Sequence, residues 1–218
     1  MLFLNVPFAE KDAAKALGAR WNPDKKKWHV QNKQDYPKFQ KWILEKNEDE
    51  CMILCDYYYI VTGVHTCFKC RKCTTVVGFG IENYYTFYQE GIFEGDPEPE
   101  YSFGEIHIAS WIEPLSDKLL YYLKNKYNYY YGYSKFTNSS YYGNHCMSCG
   151  VLQGDFYIFS EVDSPFFIDS AESAKALRLF RVPLSADLKV ICDVGYGSED
   201  YLLKAHAQII DFQEIPAL

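Results

Sequence analysis

Two short stretches of this sequence, Cys67-Phe68-Lys69-Cys70 and Cys146-Met147-Ser148-Cys149, share the spacing that decides its fold. In each stretch two residues separate the cysteines, so one tight turn can direct both thiolates at the same metal ion. Two such turns supply four sulfurs, which form the closed tetrahedral ligand set of a structural zinc site. We therefore predict one structural zinc ion. Its ligands are Cys67, Cys70, Cys146 and Cys149.

The loop between the two cysteine pairs indicates what the metal would do. Between Cys70 and Cys146 lie 75 residues. Clamping a loop of this length removes roughly 4 kcal/mol of chain entropy from the unfolded state. Because four sulfurs leave no coordination position for water, the site is expected to hold structure and not to catalyse hydrolysis.

Three neighbouring residues are alternative ligands: Cys73, His65 and His145. Cys73 follows Cys70 at the same spacing, so these two also form a Cys-x-x-Cys pair. We favour Cys67 with Cys70, because residues 74–79 have the pattern of a strand that leaves the turn, and Cys73 would stand at its start.

The first cysteine pair lies in a basic stretch of sequence. This stretch contains Lys69, Arg71 and Lys72. Their charge would offset the double negative charge of a zinc ion bound by four thiolates. We therefore interpret these residues as electrostatic support for the metal and not as a nucleic-acid patch.

The composition is that of a globular protein. The chain has 218 residues, of which 48% are hydrophobic, enough to bury a core in one large domain or two small ones. Met1 is not followed by a basic and then an apolar segment, so no secretion signal is predicted. The eight cysteines are accordingly expected in a reducing, cytoplasmic location. No segment approaches the run of about 18 apolar residues that predicts a membrane-spanning helix.

Charge is distributed unevenly along the chain. The formal net charge is −7, whereas residues 1–46 contain ten Lys or Arg and five Asp or Glu, a balance of +5 that leaves −12 for the remainder. Residues 47–50, Asn-Glu-Asp-Glu, have the composition of a linker. We predict a small basic module over residues 1–46 and a larger acidic domain over 51–218, with an insert at 80–142.

The hydrophobic pattern of the basic module predicts a βαβα order of elements. The predicted elements are a strand over residues 2–6, a helix over 9–17, a strand over 27–30 and a helix over 36–45. Trp21 precedes an Asn-Pro-Asp turn and is expected to anchor the core of the module.

Three segments of this module resemble a known family. They are Leu4-Asn5-Val6-Pro7-Phe8-Ala9-Glu10-Lys11-Asp12, Ala16-Leu17-Gly18-Ala19-Arg20-Trp21-Asn22 and Lys27-Trp28-His29-Val30. Together they resemble a small bacterial domain of unknown function that is found appended to plasmid TraC-type primases and other DNA-processing proteins. The resemblance implies association with nucleic-acid transactions. It implies no enzymatic activity, because no primase or helicase motor accompanies it.

A basic cluster near two tryptophans provides a physical case for nucleic-acid binding. The candidate binding residues are Arg20, Lys25, Lys26, Lys27 and Trp28. Single-stranded nucleic acids bind where cations lie beside aromatic stacking surfaces. The alternative is that both tryptophans lie in the core and that the lysines form a solvated turn.

Residues 51–160 resemble a split zinc ribbon of uncharacterised bacterial proteins. The resemblance rests on the first cysteine pair with its following Val-Val-Gly-Phe strand, and on the later segment Gly143-Asn144-His145-Cys146-Met147-Ser148-Cys149-Gly150. Ribbons of this type imply scaffolding or binding.

Two serines indicate where helices begin in this larger domain. Ser116 in the insert and Ser170 in the C-terminal part each precede a helical pattern, and serine is a favoured N-cap residue. The second helix is predicted to continue to Phe180. We therefore predict an α+β fold: a βαβα module followed by a β-rich, zinc-ribbon-type body with inserted and C-terminal helices.

The sequence contains no recognisable catalytic constellation. It lacks the phosphate-binding Gly-x-x-x-x-Gly-Lys-Ser/Thr motif, the Gly-x-Ser-x-Gly nucleophile motif and the His-Glu-x-x-His zinc motif. Cys192 beside Asp193 has no identifiable partner histidine and is expected to be a core thiol. We therefore assign no catalytic residue and favour a non-enzymatic protein.

Two functional hypotheses follow, and a third, an enzyme that acts on a nucleic acid or a nucleotide, stays open. In the first, a bacterial zinc-binding protein contacts DNA or RNA through its basic N-terminal module. In the second, an immunity- or antitoxin-like factor masks a basic protein partner with its acidic, tyrosine-rich body, an arrangement that the net charge of −7 favours. No membrane partner is expected in either case. The salt dependence of binding distinguishes the two hypotheses, because binding to phosphates weakens steeply as the salt concentration rises.

Overall fold

The computed structural model describes residues 1–45, 47–89 and 98–212. Within them the structure mixes helices and strands, which confirms the predicted α+β class. The strands are β1 (Leu2–Leu4), β2 (Arg20–Asn22), β3 (Lys27–Val30), β4 (Glu50–Leu54), β5 (Tyr57–Thr66), β6 (Cys73–Ile81), β7 (Tyr84–Tyr88), β8 (Glu100–Ser102), β9 (His107–Glu113), β10 (Tyr129–Ser134), β11 (Ser139–Asn144), β12 (Arg178–Pro183), β13 (Leu188–Gly195) and β14 (Gln208–Asp211). The helices are α1 (Lys11–Ala16), α2 (Gln40–Ile43), α3 (Asp117–Tyr127), α4 (Ala171–Lys175) and α5 (Tyr201–His206), with short 3-10 helices at Phe8–Glu10 and Lys33–Phe39 and a π-helical segment at Phe156–Ser160.

The chain forms two compact units, each built from three segments. Unit 1 comprises Met1–Tyr57, Asn83–Phe103 and Leu184–Ile191; unit 2 comprises Tyr58–Glu82, Gly104–Pro183 and Cys192–Leu218. The boundaries inferred from sequence, 1–46 and 51–218 with an insert at 80–142, stay predictions. Parts of these ranges, at 46, 90–97 and 213–218, lie outside the described residues.

Unit 1 begins with a three-stranded antiparallel sheet in the order β1-β3-β2. This sheet has one strand more than the sequence predicted, because Arg20–Asn22 pairs along Lys27–Val30 with Trp21 opposite Trp28. Trp21 was expected in the core, but it lies on an edge strand and is 51% exposed.

One hydrophobic core serves most of unit 1. Strands β4, β7 and β8 of this unit and residues 188–190 of β13 pair as antiparallel neighbours in the order β13-β4-β7-β8. The buried core residues are Leu2, Leu4, Ala14, Ala19, Val30, Tyr36, Phe39, Ile43, Cys51, Ile53, Cys55, Tyr85 and Phe87. They come from the N-terminal sheet and its helices, from β4 and β7, and from the adjoining loop residues Ala19 and Cys55. These segments bury their apolar side chains against a common interior.

Unit 2 contains the strands that carry both cysteine pairs. Its larger set of strands lies in the order β14-β12-β5-β6-β9, and β10 pairs with β11 as a separate antiparallel hairpin. The β5–β6 hairpin pairs from Tyr59 opposite Gly80 to Thr66 opposite Cys73, so residues 67–72 form its turn. The second cysteine pair directly follows the end of β11 at Asn144.

The two predicted serine caps are present in unit 2. The Ser116 hydroxyl accepts a hydrogen bond from the Leu119 N–H at the start of α3, and Ser170 accepts one from Ser173 at the start of α4. Helix α4 is shorter than predicted, because residues 178–180 belong instead to β12. No helix in the described parts of the chain is both long and apolar enough to cross a membrane.

Candidate metal centre

The first cysteine turn, residues 67–72, closes through two backbone hydrogen bonds. The Cys67 N–H donates to the Lys72 carbonyl oxygen (3.0 Å), and the Arg71 N–H donates to the Cys67 carbonyl oxygen (2.9 Å). Arg71, which follows the second cysteine, has a left-handed backbone with φ of 61°. This geometry reverses the chain within six residues.

The second cysteine turn, residues 146–151, repeats the same pattern. The Cys146 N–H donates to the Val151 carbonyl oxygen (2.9 Å), and the Gly150 N–H donates to the Cys146 carbonyl oxygen (2.8 Å). Gly150 occupies the position of Arg71 and has a φ of 70°. Glycine adopts this conformation at little cost, whereas Arg71 must bear some strain. The two turns are therefore equivalent in backbone structure.

Strand pairing beside the turns is also equivalent. Thr66 pairs with Cys73 beside the first turn, and His145 pairs with Leu152 beside the second. Cys73 thus occupies the position that Leu152 occupies in the other half. It is exposed, it begins β6 and it is not one of the clustered cysteines.

The four predicted cysteines meet in unit 2. Their sulfur atoms all lie within 4.8 Å of one another. The shortest separations join the two turns: 3.8 Å from Cys67 Sγ to Cys149 Sγ, and 3.6 Å from Cys70 Sγ to Cys146 Sγ. Four sulfurs at about 2.3 Å from a tetrahedral zinc ion lie about 3.8 Å apart, so this cluster has the size and donor set of a metal site.

Burial differs among the four thiols. Cys67 and Cys146, the first cysteines of the two turns, are 0% exposed. Cys70 is half-buried and Cys149 is exposed. The centre therefore lies at the surface of unit 2, with its open side at Cys149.

The turns favour negative charge on the two buried sulfurs. Burial opposes ionisation of Cys67, but the backbone N–H groups of Cys70 and Lys69 outweigh it and lower the pKa of Cys67 to about 6. Burial likewise opposes ionisation of Cys146, but the N–H groups of Cys149 and Ser148 outweigh it and lower the pKa of Cys146. An N–H from Val151 lowers the pKa of Cys149, but burial and the neighbouring sulfurs outweigh it and raise that pKa to about 11. The backbone of the two turns therefore favours the thiolate form of the two buried sulfurs.

Buried polar side chains hold the two turns in place. Gln153 is 0% exposed, and its side-chain amide lies 3.5 Å from Cys67 Sγ and donates to the Val151 carbonyl oxygen (2.8 Å). The Thr74 hydroxyl accepts a hydrogen bond from the Met147 N–H (3.0 Å). Gln153, which follows the second turn, thereby contacts Cys67 of the first turn. Thr74, which follows the first turn, contacts Met147 of the second.

Asn144 connects β11 to β6 through two hydrogen bonds. Its side-chain oxygen accepts from the Val77 N–H (2.7 Å), and its side-chain nitrogen donates to the Val77 carbonyl oxygen (2.8 Å). The asparagine is 1% exposed. Its amide therefore satisfies both backbone groups of one β6 residue and fixes β11 against β6.

The two alternative histidine ligands have other surroundings. The His145 ring stacks on Tyr130, with centroids 3.7 Å apart and planes 8° from parallel, and its Nδ1 lies 3.0 Å from the Gly143 carbonyl oxygen. A Cβ at Gly132 would lie only 2.5 Å from the His145 ring, so glycine leaves room for this stack. His65 lies on β5 opposite Thr74. Neither histidine is in the cysteine cluster.

The predicted nucleic-acid residues lie on the β2–β3 hairpin of unit 1. Arg20, Lys25, Lys26 and Lys27 are exposed, and Trp28 is half-buried and packs against the unit 1 core. Successive side chains of a strand point to opposite faces, so Lys27 and Trp28 lie on different sides of the sheet. The hairpin carries all four cations, and Trp28 lies on the face opposite to Lys27 and Arg20.

Sequence reasoning missed the polar residues around the metal centre. Asn144, Gln153 and Thr74 have no motif of their own, although each lies within four residues of a clustered cysteine. A polar residue inside a β-rich stretch beside a metal motif is the signal that could have identified them, because metal ligands usually have hydrogen-bonded neighbours.

Comparisons with known proteins cover the N-terminal segment. Residues 1–43 match a family described as a domain of unknown function, DUF5710. Two Escherichia coli proteins named DNA primase TraC are similar to this segment: one is 51% identical over 43 residues, and the other is 48% identical over 40 residues. These alignments cover 20% and 18% of this chain but only 4% and 3% of the relatives' lengths. No solved structure matches the chain. The resemblance predicted for the N-terminal module is therefore confirmed, and it concerns that segment alone.

Proposed function

We propose that this protein is a non-enzymatic, nucleic-acid-associated binding protein whose four-cysteine centre holds one structural zinc ion. The observation that carries the nucleic-acid part is an exposed hairpin of four cations, within a segment that is 51% identical to part of a protein named DNA primase. The absence of a catalytic role stays a prediction from the sequence.

The donor set supports zinc. Four thiolates in a cluster of tetrahedral size are the ligands that structural zinc sites use, and iron is the main competitor for the same set. Cys67, Cys70, Cys146 and Cys149 would hold the ion, and it would supply only a link between the two turns. With four sulfurs bound, no coordination position remains for a substrate.

The charge distribution supports binding of nucleic acid by the N-terminal module. Residues 1–46 carry +5, although the whole chain carries −7. A concentrated basic surface on an acidic protein directs phosphate binding to one place. Neutralising phosphates releases counterions. The logarithm of the binding constant at this surface should therefore fall linearly with the logarithm of the salt concentration.

Charge reversal of the hairpin lysines tests this proposal. In the full chain, the triple change Lys25→Glu, Lys26→Glu and Lys27→Glu should weaken binding to an oligonucleotide by at least about tenfold at low salt and reduce the salt slope by about 2. Fluorescence anisotropy at several salt concentrations measures both. The matched control reverses three exposed lysines of unit 2, Lys118, Lys124 and Lys135, and should leave binding nearly unchanged.

A protein partner is the second candidate function. It is favoured by the net charge of −12 outside residues 1–46 and by exposed aromatic side chains of unit 2, namely Tyr131, Tyr133 and Phe136. An acidic surface with aromatic residues is suited to covering a basic protein, as an immunity- or antitoxin-like factor would. A wild-type chain that binds no oligonucleotide at any salt concentration would contradict the first function and favour this one.

A further inference from the structure

The N-terminal sheet of unit 1 has one face that its core does not use. Leu2, Leu4 and Val30 are buried, and Trp28 packs beside them, so these residues define the core face. Phe3 lies between Leu2 and Leu4 and therefore points to the opposite face. An aromatic side chain on this outer face is not needed to complete the core.

A continuous row of side chains crosses the outer face. Phe3 pairs with His29 on β3, and His29 pairs with Arg20 on β2, so these three residues lie side by side across all three strands. The Phe3 and His29 rings are 6.1 Å apart, and both side chains are half-buried. Arg20 is exposed at the end of the row. The row therefore begins with a stacking surface and ends with a cation.

A second row on the same face adds charge. Lys27 pairs with Asn22 two residues closer to the hairpin turn, and the turn itself contributes Lys25 and Lys26. None of the three strand sequences, LFL, RWN and KWHV, contains an acidic residue. Asp24 in the turn is the only acidic residue from Arg20 to Val30. The outer face thus combines two rings with a strongly positive end.

We propose that single-stranded nucleic acid binds across this outer face. Its unpaired bases stack on Phe3 and His29, and its phosphates contact Arg20, Lys27 and the turn lysines. Stacking on protein rings requires bases that are not paired in a duplex, which is why the ligand is single-stranded. Trp28 takes no part, because it lies on the core face. This inference rests on the proposed nucleic-acid function and specifies its surface and its ligand.

Two ring removals on opposite faces test the assignment. The probe is a labelled single-stranded oligothymidylate of about 20 nucleotides, compared with a duplex of the same length, and both are titrated with the full chain. Phe3→Ala should weaken single-strand binding about tenfold, and Phe3→Tyr should retain most of it. Trp21→Ala removes an exposed ring from the core side of the same sheet, where Trp21 lies opposite Trp28, and should leave binding within about twofold.

Removal of one cation from the outer face and of one from α1 gives the second comparison. Arg20→Ala should weaken binding several-fold and reduce the salt slope by about 1, whereas Lys15→Ala on α1 should do neither. Thermal unfolding of every variant identifies losses that come from misfolding. If Phe3→Ala changes stability, Phe3→Leu, which keeps an apolar side chain but has no ring, takes its place and should also weaken single-strand binding.

The outcomes separate this inference from the proposed function. Salt-sensitive binding that Phe3→Ala leaves intact, or that Trp21→Ala weakens more, would overturn the outer-face assignment and leave the proposed function standing. Equal affinity for duplex and single strand would overturn the stacking mechanism. A wild-type chain that binds neither probe would overturn both the inference and the function on which it rests.

Discussion

Cys146→Ser is expected to abolish metal binding and to destabilise unit 2 by about 4 kcal/mol or more. Cys146 is 0% exposed, and its sulfur lies 3.6 Å from that of Cys70 in the other turn. Serine is a poor metal ligand, so the clamp that closes the loop between the two cysteine pairs is lost. Urea unfolding and metal analysis of the purified variant measure the two effects.

Cysteines outside the cluster provide the control for this prediction. Cys73→Ser changes an exposed cysteine that lies within three residues of Cys70, and Cys192→Ser changes a half-buried one. Both variants should keep the metal, with changes in unfolding free energy of about 1 kcal/mol or less. A Cys146→Ser protein that unfolds cooperatively with wild-type stability and no metal would contradict the structural role of the centre.

Asn144→Ala is expected to lower the free energy of unfolding by about 3 kcal/mol. The asparagine is 1% exposed and pairs with both backbone groups of Val77. Removing its amide leaves a buried N–H and a buried carbonyl oxygen without partners, and each costs about 1 to 3 kcal/mol. Because Asn144 also positions β11 ahead of the second cysteine turn, we expect metal affinity to fall as well.

Two further asparagine variants sharpen this prediction. Asn144→Asp keeps the shape and can accept from the Val77 N–H, but its carboxylate cannot donate to the carbonyl oxygen, so it should be at least as destabilising as alanine. Asn125→Ala changes an exposed asparagine on α3 and should shift the unfolding free energy by about 0.5 kcal/mol or less. Equal stability of the Asn144→Ala and Asn125→Ala variants would show that the Val77 pairing contributes nothing.

The cluster of four cysteines was predictable because the sequence signal for each turn is local. Each cysteine pair sets its own turn, and four thiols of this spacing have one common use. The two serine caps were predictable for the same reason, since an N-cap depends on a hydroxyl and the N–H groups of the next turn. Ser116 and Ser170 both make these hydrogen bonds.

Two expectations were wrong because strand pairing decided the outcome. Residues 178–180 continue a helical pattern, but they pair with residues 208–210 of β14 and form a strand. Trp21 looked like a core residue, yet the β2–β3 pairing places it at a sheet edge. Strand pairing overrode the expectation from the local sequence in both cases.

Asn144 shows why part of the candidate site stayed hidden. In the sequence it is one polar residue between a tyrosine-rich strand and a cysteine pair, and a polar residue at such a position is typical of a turn. Its role depends on Val77, which lies 67 residues earlier in the chain. Only the meeting of the two hairpins in space creates the contact.

Metal content combined with X-ray absorption at the zinc edge shows whether the four cysteines bind a structural zinc ion. The sample is the full chain, purified without added metal or chelator. We expect one zinc ion per chain, coordinated by four sulfur atoms at about 2.3 Å. A folded, metal-free protein in which all eight cysteines react as free thiols, or a zinc ion bound through nitrogen or oxygen, would contradict it.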